Sequence, residues 1–393
     1  MISLIYIVLL TILFLYFILF IFHWLAHHSD VFGYLYVRLF YGLIRRFNVT
    51  YVTLPMRNPI SKKRTVFNLI DRYDPLMYWM MCLDTCRVNA YEEAIKQYEQ
   101  RQQKAVWLDI GTGAHMPLTR LLIKYGVAEH VYAVEANRST YQFARTIREQ
   151  LPEKEKRLIS LDECYSKNVD WYAKNPRPNA IIHEIVGCIS SDEGCIKVMH
   201  DTIENLRDNA SFCIPYQIGT LCMPVSYPKL SRFSSFCSFL LSSSMTIMKT
   251  IGIQGLFNPP RDTFLCKTPQ FIENFVLQDY ARKPLDKCTT FKTKFVVEKN
   301  MTEWTGFYLA PYILTSKDTK NEINGLEQVT NWPVRYIQMY NYREAMYVKR
   351  GDEIHVLFQS DLTTECPIYR LETWLNSDHF VRSTFAWRGP AIY

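Results

Sequence analysis

No Cys-x-x-Cys pair occurs in the 393 residues, although eleven cysteines are scattered between Cys82 and Cys366. Only Cys82/Cys86 and Cys188/Cys195 come close together along the chain. This excludes a zinc ribbon and a disulfide framework, so no metal is expected, and the thiols read as buried groups in a reducing compartment. Formal charge is absent from Ile2 to Ala26, and no Lys or Arg precedes that stretch. A net charge of +7 is mild for this length. Such a surplus is compatible with acidic partners or a lipid surface but argues for neither. No internal repeat is present. What remains is ordinary globular material, with 48% hydrophobic, 15% aromatic and 21% charged residues. That composition excludes extensive disorder, and the length accommodates two domains and an appendage.

The uncharged run is nearly all Ile, Leu, Val, Phe and Tyr. It meets the roughly twenty residues that a helix needs to cross a bilayer. A cleavable signal peptide would need a basic start, a shorter apolar stretch and a small-residue cleavage site, none of which is present. Residues 1–28 are therefore expected to form a single-pass transmembrane anchor, with the lipid bilayer as a partner through residues 2–26. Arg38, Arg45 and Arg46 all follow the run, which places everything after residue 30 on the cytoplasmic side. The sequons at Asn48, Asn137, Asn209 and Asn300 then carry no meaning. Residues 29–65 continue as an aromatic, basic segment and a Pro/Lys/Ser linker. Val31–Phe47 reads equally well as an interfacial helix or as a helix packed on the next domain.

Further along, strands alternate with helices. Asp84–Glu99 has helical spacing, Ala105–Asp109 is a buried strand, and Pro117–Tyr125 is a helix. Val131–Glu135, Thr140–Glu149 and Asn179–Glu184 continue as strand, helix and strand. This is the pattern of βαβ units on a parallel sheet. Beyond Cys213 short runs such as Thr293–Val297, Tyr336–Met339, Tyr347–Lys349 and Ile354–Phe358 predict an antiparallel second domain. Residues 231–260 are Ser-rich and apolar, and read as an exposed arm or as a helix folded on its own barrel.

The chemistry concentrates in residues 106–137, VWLDIGTGAHMPLTRLLIKYGVAEHVYAVEAN. A strand ends at Asp109, a turn follows through Gly111 and Gly113, a helix opens, and the next strand ends at Glu135. Ligands of doubly wound sheets sit at such strand ends. The glycines let backbone approach a cofactor, and Glu135 can accept two hydrogen bonds from vicinal ribose hydroxyls. Met116 and Pro117 stand where a pyrophosphate cradle would carry its third glycine, so the DxGxG form with a later acid points to S-adenosylmethionine. In residues 179–194, NAIIHEIVGCISSDEG, Glu184 ends a strand and Glu193 follows nine positions later. Two carboxylates at one sheet edge can clamp a guanidinium bidentately. They draw its positive charge to one side and leave another nitrogen able to attack a sulfonium methyl.

With Met81-x-x-Asp84-x-x-Arg87, the DIGTG turn, Glu135 and the glutamate pair around Gly187, the chain resembles the protein arginine methyltransferase family. The likeness runs from about Asp71 to Phe358 and includes Cys213-Ile214-Pro215, Met223-Pro224-Val225, Thr330-Asn331-Trp332 and Gly351-Asp352. It implies an α/β fold, with a Rossmann-like class I methyltransferase domain (66–215) followed by an antiparallel β-barrel substrate domain (216–393), here behind an N-terminal transmembrane helix. It implies that Arg87 pairs with the methionine carboxylate of S-adenosylmethionine, that Asp109, Gly111 and Gly113 shape the pocket, and that Glu135 holds the ribose. Glu184 and Glu193 would bind the arginine of a protein substrate, Trp332 and Met81 would line its channel, and the arm at 231–260 would join two copies as a homodimer. Asn331 replaces the family's histidine, His183 its commoner serine, and Gly194-Cys195 its Ser-Met. Methylation of a small molecule or lipid, and a non-catalytic methyltransferase-like scaffold, remain as alternatives. Nucleic acid is not expected: Asn258-Pro259-Pro260 is followed by Arg261, not by an aromatic that stacks on a flipped base.

Overall fold

The computed structural model describes residues 14, 17–18, 20–47, 51–52, 74–100, 104–206, 212–226, 253–280, 282–317, 322–339 and 346–389. In chain order the leading elements are α1 (Asp30–Phe47), β1 (Tyr51–Val52), α2 (Pro75–Cys82) and α3 (Thr85–Gln100). The nucleotide-type unit follows: β2 (Ala105–Ile110), α4 (Pro117–Lys124), β3 (Ala128–Glu135), α5 (Arg138–Glu149), α6 (Glu153–Lys156), β4 (Ile159–Glu163), β5 (Ala180–His183), α7 (Cys195–Ile203) and β6 (Phe212–Ile214). Its five strands lie in the order β4-β3-β2-β5-β6, and every pairing is parallel. All six residues of β2 are buried, as expected for the central strand of a sheet covered on both faces. The chain order reverses between β2 and β5, so the ligand crevice lies beyond Ile110 and His183. Helix α3 opens where the Asp84 carboxylate accepts the Cys86 and Arg87 amides at 3.1 and 3.2 Å, and α4 opens on Pro117.

From Gln217 onward the strands are antiparallel. They comprise β7 (Gln217–Val225), β8 (Ile253–Phe257), β9 (Gln270–Val276), then after the short helix α8 (Leu277–Tyr280) β10 (Thr289–Val296), β11 (Thr302–Trp304) and β12 (Gly306–Leu314). They continue with β13 (Glu322–Asn324), β14 (Val334–Gln338), β15 (Met346–Val348), β16 (Glu353–Asp361), β17 (Ile368–Leu375) and β18 (Asp378–Arg388). One sheet runs β1-β8-β14-β12-β7-β9 with β13 beside β12, and a second runs β10-β16-β17-β18. Along β16 buried and half-buried residues alternate, so Ile354, Val356 and Phe358 point into the core. A single apolar core is continuous from Trp107 and Ile181 to Trp304, Tyr336 and Trp387, so the two domains share one interior.

The front of the chain corrects the sequence reading. Among the described residues no helix is long and apolar enough to cross a membrane, so the single-pass anchor with a cytoplasmic catalytic domain is overturned. Bilayer contact through residues 2–26 loses its support with it. Hydropathy counts residues, whereas the described end of this run touches the fold at few points and leaves Phe20, Ile21 and Trp24 exposed. Helical residues 20–28 bury Ala26 completely, pair His27 with Asp74 at 2.6 Å, and turn His23, Trp24 and His28 toward a cavity. Residues 1–13 of the expected span lie outside the described residues. In α1 the buried side is Val37, Tyr41 and Ile44, and Tyr41 donates to the carbonyl of Met80 at 2.9 Å. That is the packed reading of Val31–Phe47. The expected linker contributes Tyr51–Val52 to the barrel through pairing with β8, and residues 53–73 lie outside the described residues. Of the expected arm, residues 231–252 lie outside them too, while Ile253–Phe257 is a barrel strand. The ten described cysteines form no disulfide.

Candidate active site

The turn after β2 is built from conformations that only some residues tolerate. Gly111 and Gly113 have φ of +72° and +73°, the left-handed region where a side chain would be strained. Their backbone closes the turn. The Gly111 and Thr112 amides donate to the carbonyl of Val134, and the Gly113 amide donates to Glu135 at 3.0 Å. Asp109 is fully buried, and one carboxylate oxygen accepts from Thr112 at 2.7 Å and from Thr119 at 2.6 Å. Its other oxygen has no partner among the described residues. Burial pushes its pKa up to about 6 against those two hydroxyls. Asp109 thus supports the turn from beneath and lies behind the cavity wall. Glu135 stands at the wall with one oxygen on the Gly113 amide and the other on the Asn137 amide at 2.9 Å. The Ala136 amide adds a third bond, and with about four acceptor directions on a carboxylate one is left for a ligand.

These groups open on a cavity of about 1990 Å³, shared by Met81, Arg87, Gly111, Gly113, Glu135, Glu184 and Glu193. The sequence separated the roles of Arg87 and Glu184, but the structure joins them. The Arg87 Nε lies against a Glu184 carboxylate oxygen, with both side chains nearly buried. Arg87 also sits 5.3 Å above the Trp332 ring, whose indole donates to the carbonyl of Val186 at 2.6 Å. Trp332 was expected in the channel wall, yet at 4% exposure it acts from behind, through Arg87 and the loop. The Asn331 amide donates to Asp84 at 2.7 Å, while its buried side-chain oxygen has no partner among the described residues.

Glu193 arrives on the loop between β5 and α7. Burial, helped by the nearby charge of Asp192, pushes its pKa up to about 8, and Arg87 and Arg335 oppose the shift. Holding a cation such as a guanidinium would require the ionised form. The expected result is a kcat/KM that rises about tenfold per pH unit below 8 and levels above it, since that ratio reports the free enzyme. Stability moves the other way. The folded pKa exceeds the usual 4.5, so the contribution of this group is full below about 4.5 and is lost as pH climbs through 8. A pH series of initial rates beside one of thermal midpoints checks both. Rates already level at pH 6 would contradict the assignment.

Several residues at the site carried no assignment from sequence. Asp84 is the cap that joins α3 to Asn331, and only its place beside Arg87 marked it. Tyr78 lines the cavity and stacks on His115 at 4.1 Å, and Cys164 and Ser166 line it beyond β4. Strand β4 was missed because ISLDE is short and half polar. Ser191 and Glu273 meet across 82 residues, a contact with no local signal.

No family profile matches the chain, and no curated protein sequence matches it. Solved structures do. Protein arginine methyltransferase 10 of Arabidopsis thaliana aligns with a TM-score of 0.59 and 14% identity, covering 79% of this chain and 96% of that one. The Trypanosoma brucei PRMT1 enzyme–prozyme heterotetrameric complex, solved with AdoHcy, aligns with a TM-score of 0.60 and 12% identity, covering 79% and 97%. The chain therefore has a PRMT-like class I methyltransferase fold, a Rossmann-like domain joined to a β-barrel-type domain.

Proposed function

We propose that the chain binds S-adenosylmethionine in this cavity and methylates the guanidinium of arginine in a protein substrate. The observation that carries it is the convergence of the glycine turn, Glu135, Arg87 and the two loop glutamates on one cavity. The donor set fits the cofactor. Glu135 keeps an acceptor direction for a ribose hydroxyl, Gly113 leaves room at the turn, and Arg87 supplies a cation for a carboxylate. When bound, the cofactor supplies an electrophilic methyl on a sulfonium. Glu184 and Glu193 hold the substrate guanidinium and draw its charge to their side, which leaves one nitrogen facing the methyl. Arginine needs no prior deprotonation by a base, which its high pKa would resist, and the proton that the methyl displaces leaves after transfer by way of the loop carboxylates to water. Alignment and a dry, charge-matched site carry the rate.

The full chain, incubated with methyl-labelled cofactor and a protein extract, should place label on arginine. Label confined to lipids or small molecules would refute the arginine reading. Calorimetry should show cofactor binding, and Glu135→Ala should weaken it by about 1–3 kcal/mol, the range for leaving a charge-assisted hydrogen bond unmade. Undiminished affinity in that variant would remove Glu135 from the site.

A further inference from the structure

We propose that Glu273, a barrel side chain outside the cavity, is a positioning residue for methyl transfer. It holds the loop that carries Glu193, an inference that rests on the functional reading above. Glu273 lies on β9 between the buried Ile272 and the exposed Asn274 and is itself completely buried. A carboxylate in such a place costs several kcal/mol unless hydrogen bonds replace its water. The replacements come from the Glu193 loop and from the neighbouring strand β7. The Ser191 hydroxyl donates to one oxygen at 2.5 Å, the Thr220 hydroxyl to the other at 2.7 Å, and the Ser191 backbone amide adds a third bond.

The rest of the network is anchored on the same loop. Thr220 accepts the Ser190 amide at 3.0 Å, and the Ser190 hydroxyl donates to the carbonyl of Gly219. With its only hydroxyl hydrogen committed to Glu273, Ser191 accepts from the Tyr369 hydroxyl at 2.8 Å. Three barrel strands, β7, β9 and β17, therefore grip two consecutive residues of a loop that belongs to the parallel-sheet domain. Burial pushes the Glu273 pKa up to about 7 against the Ser191 and Thr220 donors, with Asp192 adding to the rise. The ionised form is best able to accept all three bonds.

Only two peptide units separate Ser191 from Glu193, about 7 Å of chain. A shift at Ser191 therefore moves Glu193, and a misplacement near 1 Å costs about a hundredfold in rate. An apolar side chain at 273 would bind the domains at lower desolvation cost but would leave the loop free. That difference separates positioning from simple adhesion.

The test uses full-length Glu273→Gln, with Ser191→Ala and Tyr369→Phe in case the first fails to fold. Gln keeps the size and one acceptor. We expect kcat to fall at least about tenfold in Glu273→Gln, with cofactor affinity unchanged, because the cofactor groups lie on β2, β3 and α3. Combined with Glu193→Gln it should be no slower than Glu193→Gln alone, since groups acting through one another are not additive. Amides of residues 188–194 should exchange with solvent faster than in the wild type, while those of β2 and β3 do not change. Full turnover in the single variants, or additive losses in the double, would overturn the proposal. Should the wild type methylate no arginine, the functional reading fails and the exchange comparison alone decides whether Glu273 holds the loop.

Discussion

Glu193→Gln is expected to lower turnover at least about a hundredfold, the loss typical of removing one preorganised charge-stabilising group. Gln keeps the volume and a hydrogen-bonding oxygen, so the missing quantity is the negative charge. That charge matters most when positive charge passes from the sulfonium to the attacked guanidinium, so the loss belongs in kcat rather than KM alone. Glu184→Gln should cost as much, but with a different accompaniment. Glu184 lies against Arg87, and neutralising it frees that guanidinium for a cofactor carboxylate. Cofactor affinity should therefore hold steady in Glu193→Gln and tighten in Glu184→Gln. The double variant should be scarcely slower than the worse single, because two halves of one clamp fail together. Steady-state rates and calorimetry on the three variants check this, and full activity in Glu184→Gln would end the arginine reading.

The parts of the site that sequence disclosed are those whose residues lie close along the chain. Asp109, Gly111, Gly113 and Glu135 belong to one strand–turn–helix–strand unit, whose periods and end residues point to the same edge. Glu184 was placed by the same rule, at the end of a buried strand. Sequence could not disclose that Arg87 touches Glu184, because the crossing of α3 over β5 is fixed at a distance. Tyr91 donates to the carbonyl of His183 and Thr315 to the carbonyl of Ala90, 92 and 225 residues apart. The same holds for Trp332, whose neighbours are Arg87 and Val186. The N-terminal run failed for another reason. Hydropathy reads an apolar run alike whether it meets lipid or lies beside a folded domain, and Phe20, Ile21 and Trp24 stay exposed here. Only contacts such as His27 with Asp74, and the complete burial of Ala26, tell the two apart.

Gly187→Ala should abolish most turnover while sparing the cofactor pocket, for a reason visible only in three dimensions. A Cβ at 187 would fall 1.5 Å from an Asp192 carboxylate oxygen and 2.6 Å from its carboxyl carbon. It would also approach the Glu193 side chain to 3.2 Å. Asp192 is only 1% exposed and has no open space to retreat into, so the loop itself must move. Displacement by about 1 Å of a group that aligns substrate costs about a hundredfold. Gly111 and Gly113, which shape the cofactor turn, stay in place, so cofactor binding should survive. Asp192→Ala removes the two atoms that the new methyl strikes. The Gly187→Ala/Asp192→Ala pair should therefore regain much of the activity that Gly187→Ala loses, the remaining deficit reflecting the 3.2 Å approach to Glu193. Rates and cofactor affinities of the single and paired variants decide the matter. Equal loss in the single and the pair would mean that crowding at Asp192 is not what requires glycine at 187.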